Sequence, residues 1–376
     1  MDYAYDVIII GGGVVGSSIA RELSKYKLNT CVLEKELDVC CETSGRNSGV
    51  LHAGFNNKAG SLMAKFCVEG NENFDEIAKE LDIPFKRTGK LVVGFNEEDK
   101  EKLIKMKEQG EANGVKGLEI INKDKIRKLS PYVEGNFALY SPQTGILNPF
   151  IYTIAMAENA VSNGVKYFLD NEVLDIKKVL EKESSIFKIK TNKNVYRSNW
   201  LINSAGLNSD KIGKMMGIED YTIYPCRGEY FILDQKLGKY LNMPAYPVPN
   251  EKMGGLGIHL TPSIDGNVFI GPSSEYINSK DDYSTTKEVM DLLIEDGGRI
   301  FPHIKKEYFI RNFSGIRPKL VNKDKGGYDD FKIELRDDIT NLINLTGIES
   351  PGLTSAVPIA KYVVSILSQK ENLEKN

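Results

Sequence analysis

Three glycines and one acid near the start of the chain carry the clearest chemistry. Gly11, Gly13 and Gly16 form G-x-G-x-x-G, and Glu34 follows 18 residues after Gly16. In this spacing the first glycine permits a tight turn and the second lets a pyrophosphate approach the backbone. The third lets the following helix pack close to its strand. A carboxylate at the distance of Glu34 accepts hydrogen bonds from a ribose diol and disfavours a 2′-phosphate, which argues against NADP. FAD and NAD both remain open on this stretch. A second candidate group is His52, in SGRNSGVLHAG (44–54), where three glycines among small polar residues suit backbone running close to a ligand. The chain has only two other histidines, His259 and His303. An imidazole with an ordinary pKa of about 6.5 suits proton transfer. A lone histidine is ordinarily structural; the glycine-rich context of His52 favours function.

These groups need elements to position them. Val7 to Ile10 is a short apolar run that reads as a strand buried on both faces. Ser17 to Tyr26 has helical periodicity, and its N-terminus suits a phosphate. Thr30 to Leu33 is a second strand that ends at Glu34. Asn71 to Leu81, Glu97 to Asn113, Pro149 to Asn163 and Lys287 to Ile300 read as helices. Lys86 to Phe95 reads as a strand, and Val173 to Asn194 as a hairpin. Trp200 to Asn203 is a buried strand that runs into Ser204-Ala205-Gly206, which fits backbone passing a cofactor at the carboxyl edge of a sheet. From Ile223 to Pro272 the pattern turns to antiparallel strands. Leu256 to Thr261 and Asn267 to Ile270 flank the turn signal Asp265-Gly266. The C-terminus repeats strand, glycine-rich loop and helix: Asn341 to Leu345, Thr346 to Thr354, Ser355 to Ser368. The last helix N-terminus suits negative charge on a cofactor ring.

The chain has 376 residues, 41% of them hydrophobic, which is more than one core accommodates and implies two domains. Net charge is −3 with no basic block, so a nucleic-acid partner is not expected. Five cysteines, an odd number with no C-x-x-C, argue against a disulfide scaffold or a structural zinc and favour a reducing, cytoplasmic setting. No segment has the length and apolarity of a membrane span; peripheral membrane contact stays open.

Five segments together, IIIGGGVVGSSIARELS, SGRNSGVLHAGF, LINSAGLNSD, SGIRPKL and GIESPGLTSAVPIA, resemble the D-amino-acid-oxidase-like class of FAD oxidoreductases over nearly the whole chain. Within it the stretch 47–71 is similar to the branch holding L-2-hydroxyglutarate and glycerol-3-phosphate oxidases and dehydrogenases. The segment 246–272, with Gly-Ile-His-Leu-Thr around His259, looks more like the hydroxyglutarate enzymes. The segment 347–354 looks more like the glycerol-phosphate enzymes. Giving the substrate region more weight, the resemblance implies oxidation of a small L-2-hydroxy acid to its 2-oxo acid, with glycerol 3-phosphate as the alternative.

The resemblance further implies FAD as the cofactor and a small anionic substrate. The electron acceptor is left open among oxygen, a quinone and a protein. It implies an α/β Rossmann-like FAD domain (1–84, 149–215 and 311–376) and an α+β substrate domain with a largely antiparallel sheet (85–148 and 216–310). His52 is the implied base, His259 the runner-up, and Arg317 a grip on the substrate carboxylate. Lys319 is a weaker candidate there. A second anchor is sought among Arg227, His259 and Lys252. Expected cofactor contacts are Gly11, Gly13, Gly16, Glu34 and Lys35, then Ser44, Asn47, Ser48 and Gly49. Further along they are Val173, Ala205, Gly206, Gly315, Arg317, Gly352, Leu353 and Thr354. His303 is expected to be structural.

Overall fold

The computed structural model describes residues 2–181, 184–249, 258–326 and 328–376. Its first third runs β1 (Asp2–Ile10), α1 (Val14–Leu23), β2 (Thr30–Leu33), β3 (Val50–Leu51), α2 (Leu62–Glu72), α3 (Phe74–Glu80), β4 (Phe85–Lys86), β5 (Lys90–Gly94), α4 (Glu97–Ala112), β6 (Glu119–Asn122) and α5 (Lys123–Leu129). The middle runs β7 (Phe137–Ser141), β8 (Gly145–Leu147), α6 (Pro149–Ser162), β9 (Lys166–Phe168), β10 (Val173–Glu181), β11 (Ser184–Thr191), β12 (Val195–Asn203), α7 (Ser209–Met215) and β13 (Tyr224–Leu233). The remainder is β14 (Ala245–Pro247), β15 (His259–Pro262), β16 (Val268–Gly271), β17 (Glu275–Tyr276), α8 (Lys287–Ile300), β18 (Phe309–Lys319), β19 (Lys332–Leu335), β20 (Leu342–Thr346) and α9 (Gly352–Ser368).

Local chemistry explains the element ends. Asn96 caps α4 by accepting from the Asp99 N–H at 2.8 Å, and Glu97, Glu98 and Asp99 complement the dipole in the first turn. Ser61 caps α2 by accepting from the Ala64 N–H. Helix α9 begins at Gly352, three residues before the expected Ser355, so Gly352, Leu353 and Thr354 form its first turn. The strand expected over 86–95 is split, because Gly89 sits at φ +71 between β4 and β5. Helices α2 and α5 fall largely or wholly outside the segments read as helical.

The chain forms two compact units: Met1–Gly45, Phe150–Pro225 and Arg317–Asn376 make the first, Arg46–Pro149 and Cys226–Ile316 the second. The boundary at 45 differs from the expected 84. Residues 46–84 belong with the second unit because their backbone is bound there. Strand β3 pairs antiparallel with β8. The Gln109 and Asn113 side chains of α4 donate to the Phe55, Gly54 and Asn57 carbonyls.

The first unit is built on the parallel series β9-β2-β1-β12-β20, with the antiparallel hairpin β10–β11 continuing beside β12. Ile8, Ile10, Cys31, Leu33, Leu201 and Leu342 are buried along it. Because the strands are parallel, their carboxyl ends share one edge, where ligands of open α/β sheets bind. In the second unit a sheet runs β17-β13-β16-β15-β14-β5-β7-β6, with β18 on β13. Along the series from β17 to β6 the pairs are antiparallel except at β14–β5. Leu91, Val93, Ala245 and Leu260 face an aliphatic core that includes Leu293 and Ile300 of α8. Their neighbours must face the other way.

Candidate active site

In the first unit, the carboxyl edge gathers the glycines, Glu34 and Ser204 to Gly206. Gly11 leaves β1 at φ +107, and a Cβ there would lie 2.6 Å from the Ser204 carbonyl oxygen. A Cβ on Gly16 would lie 2.0 Å from the Gly11 carbonyl oxygen, so α1 can start this close to β1 only without a side chain. At the α1 N-terminus, Ser44 Oγ accepts from the Val14 N–H at 2.9 Å. Glu34 accepts from the Gly12 N–H at 2.5 Å and the Glu36 N–H at 2.9 Å; burial, the largest influence, raises its pKa. A glycine turn, a helix N-terminus and a half-buried carboxylate on one sheet edge fit the phosphate and ribose groups of a dinucleotide. Lys35 lies beside them, paired with Glu36 and Glu42.

The second unit holds both candidate bases. His52 follows β3. Its carbonyl accepts from Asn71 Nδ2 at 2.9 Å and from Cys67 Sγ at 3.4 Å, which ties the loop to α2. Burial, reinforced by the positive charge of Lys90, pulls the His52 pKa down to about 3, so the imidazole is neutral near pH 7. His259 opens β15 and stacks on Tyr246 of β14, rings 3.4 Å apart and 2° from parallel. Lys90 of β5 was not anticipated from sequence. It is 4% exposed, and its ammonium lies 4.2 Å from the Tyr246 ring centroid and 4.6 Å from that of Phe55. The one available signal was a lysine opening an apolar strand run, which more often marks a strand end. Also in this unit, Gly49 holds φ +66 with Leu147 O where a Cβ would be. Its N–H donates to Asn47 Oδ1, and Ser48 lies between them. A Cβ on Gly315 would meet the Arg46 carbonyl at 2.0 Å.

Two candidate anchors are already committed. Arg227 is neither a surface residue nor an open grip. It is buried, 2.6 Å from Glu275 and 2.8 Å from Asp282, with Glu229 at 3.9 Å. Lys319 is not solvated: it pairs with both Glu349 oxygens at 2.9 and 3.1 Å. Lys252 lies outside the described residues. His303 stacks on Tyr240 and meets Tyr132 edge-on, as a packing residue does. Arg317 lies half-buried on β18, and Val173 is buried at the start of β10.

The chain matches the family described as FAD dependent oxidoreductase (DAO) over residues 6–366. The protein belongs to this family. A glycerol 3-phosphate dehydrogenase from Caloramator mitchellensis is 42% identical across 96% of this chain and 74% of its own length. The L-2-hydroxyglutarate dehydrogenase of Indibacter alkaliphilus is 32% identical across 96% of this chain and 98% of its own. Among solved structures, an L-alpha-glycerophosphate oxidase from Mycoplasma pneumoniae with FAD bound superimposes with a TM-score of 0.89 at 27% identity, covering 99% of this chain and 96% of that one. This DAO-family protein is therefore an FAD-dependent oxidoreductase acting on a CH–OH group. Its Rossmann-like sheet and companion antiparallel sheet are those expected. No helix among the described residues is long and apolar enough to cross a membrane.

Proposed function

We propose that the protein oxidises glycerol 3-phosphate at its secondary alcohol, giving dihydroxyacetone phosphate. The observation that carries this reading is the His52 site: a half-buried, neutral imidazole tied down through its own carbonyl, next to the buried Lys90. A bound flavin supplies the two-electron acceptor for the hydride leaving the carbinol carbon. His52 takes the hydroxyl proton as that C–H bond breaks, and only its neutral form can do so. His259, in the same unit as His52, orients the substrate. Gly11, Gly13, Gly16, Glu34 and Ser44 would hold the adenosine and pyrophosphate, and the α9 N-terminus at Gly352 to Thr354 would stabilise negative charge on the cofactor ring. The units 1–45, 150–225, 317–376 and 46–149, 226–316 serve as cofactor and substrate domains.

Glycerol 3-phosphate is favoured over the hydroxy acid first inferred from 246–272 for a reason of charge. A dicarboxylate needs a second cationic grip, and two of the expected candidates, Arg227 and Lys319, are spent on Glu275, Asp282 and Glu349. A phosphate ester needs one cationic pocket. The 42% identity to a protein named glycerol 3-phosphate dehydrogenase supports the same choice. L-2-hydroxyglutarate is the second reading, favoured by the Gly-Ile-His-Leu-Thr segment and by the relatives carrying that name. Anaerobic bleaching of the yellow flavin separates them. Glycerol 3-phosphate, L-2-hydroxyglutarate and its D-isomer are added in separate cuvettes. Rapid bleaching by glycerol 3-phosphate alone is expected; bleaching by the L-hydroxy acid alone would hand the site to the second reading.

A further inference from the structure

Lysine is almost never buried without a partner, because removing an ammonium from water is costly unless a counter-charge replaces the lost hydration. This chain obeys that rule at Arg227 and Lys319, which face carboxylates. Lys90 departs from it. Leu91 and Val93 point into the aliphatic core, so strand alternation sends Lys90 to the opposite face of β5. The imidazole of His259, stacked at 3.4 Å, fills one face of Tyr246 and leaves the other to the Lys90 ammonium, 4.2 Å from the centroid. Phe55, three residues after His52, lies 4.6 Å from it on another side. Among the described residues no carboxylate lies within ion-pairing distance of Lys90. Among the described residues its ionisable neighbours are His52, Tyr246 and Cys67, with His259 beyond the Tyr246 ring. The thiol of Cys67 is pushed up to about 12 by burial, and the Tyr246 phenol is raised well above its ordinary value for the same reason, so neither supplies a negative charge near neutral pH. Two aromatic faces recover only part of the lost hydration.

We propose that Lys90 is the substrate-anchoring cation of the His52 site: it pairs with the acidic group of the substrate, and that pairing strengthens His52 as a base. The proposal rests on the reading of His52 as the proton acceptor for an anionic alcohol. The coupling is electrostatic. In the free enzyme the uncompensated ammonium adds to the burial that depresses His52. A phosphate or carboxylate seated on Lys90 cancels that field, so the imidazole gains proton affinity only once the alcohol is bound. Burial lowers Lys90 itself to about 7, which makes substrate affinity fall as pH rises through neutrality.

The test uses the FAD-loaded enzyme and its Lys90→Met and Lys90→Arg variants. Glycerol 3-phosphate and L-2-hydroxyglutarate serve as separate probes of phosphate and carboxylate recognition. Anaerobic stopped-flow reduction gives the half-saturating concentration and the limiting rate, and thermal unfolding gives Tm. For Lys90→Met, half-saturation should rise about 100-fold with the active probe. Flavin content should hold, and Tm should rise because an unpaired buried charge is gone. The parent enzyme should show the basic limb of kcat/KM below that of kcat, and Lys90→Met should close that gap. Lys90→Arg should recover part of the affinity and restore the gap. Unchanged half-saturation in Lys90→Met, or a lowered Tm with substrate affinity retained, would overturn the proposal and make Lys90 structural. If Lys90→Met fails to fold, a Lys90→Arg variant with neither the affinity nor the gap retained overturns it equally. A parent enzyme reduced by neither probe would instead sink the assignment of the substrate class, independently of Lys90.

Discussion

Substituting Gly16 with alanine tests the dinucleotide cradle most directly. The new Cβ would sit 2.0 Å from the Gly11 carbonyl oxygen and 2.8 Å from Ser204 Oγ. The first obstacle is backbone, in the turn that joins β1 to α1, and cannot rotate aside. Relief requires α1 to move off β1 by roughly 1 Å, and overpacking of that kind costs up to about 3 kcal/mol. At about 2–4 °C per kcal/mol for a unit of this size, Tm should fall by roughly 6–12 °C. Gly13→Ala provides the contrast. Its Cβ would meet only Ser44 Oγ, at 2.9 Å, and that hydroxyl can swing away. The cost there is the cap to the Val14 N–H, about 1 kcal/mol. Gly13→Ala should therefore fold nearly as well as the parent and show its defect in FAD affinity, whereas Gly16→Ala should lose stability even without flavin. Thermal unfolding of flavin-stripped protein, followed by circular dichroism, keeps ligand linkage out of the comparison. A Gly16→Ala protein melting within about 2 °C of the parent would refute the close-approach argument.

His52→Ala should retain FAD and lose flavin-reduction rate by roughly 10²–10⁴-fold, the share of a general base. Reduction at the parent rate would transfer the role to His259. Stability should also depend on His52 through pH. Its folded pKa, about 3, lies below the ordinary 6.5, so between those values the unfolded chain binds more protons. The contribution is complete above pH 6.5 and is lost as pH falls towards 3. At about 1.4 kcal/mol per pH unit it amounts to at most about 5 kcal/mol. Urea unfolding of the parent and of His52→Ala should show a constant offset above pH 6.5 and a shrinking one below it. An offset independent of pH would contradict a half-buried, neutral imidazole.

The dinucleotide half was legible in the sequence because its signals are local. The turn at Gly11, the close helix start at Gly16 and the strand-terminal acid at Glu34 are dictated by backbone conformation and short-range packing. A few dozen consecutive residues therefore contain the argument. The α4 helix start at Glu97 was legible for the same reason, whereas α2, capped by Ser61, was not. What the sequence could not disclose was which charges are already spent. Arg227 was a candidate second anchor for the substrate. Glu275 and Asp282, about 50 positions away in the chain, already hold it. Lys319 was a weaker candidate for the substrate, but Glu349 already pairs with it. Lys90 lay unremarked within the strand expected over 86–95. Its burial depends on β5 lying beside β14, which brings Tyr246, and on the loop after His52, which brings Phe55. The local chain determines turns, caps and glycine contacts, because those energies act between neighbours. The protonation of His52 and the isolation of Lys90 were decided only by tertiary packing, because desolvation and charge pairing depend on every group that folding brings near.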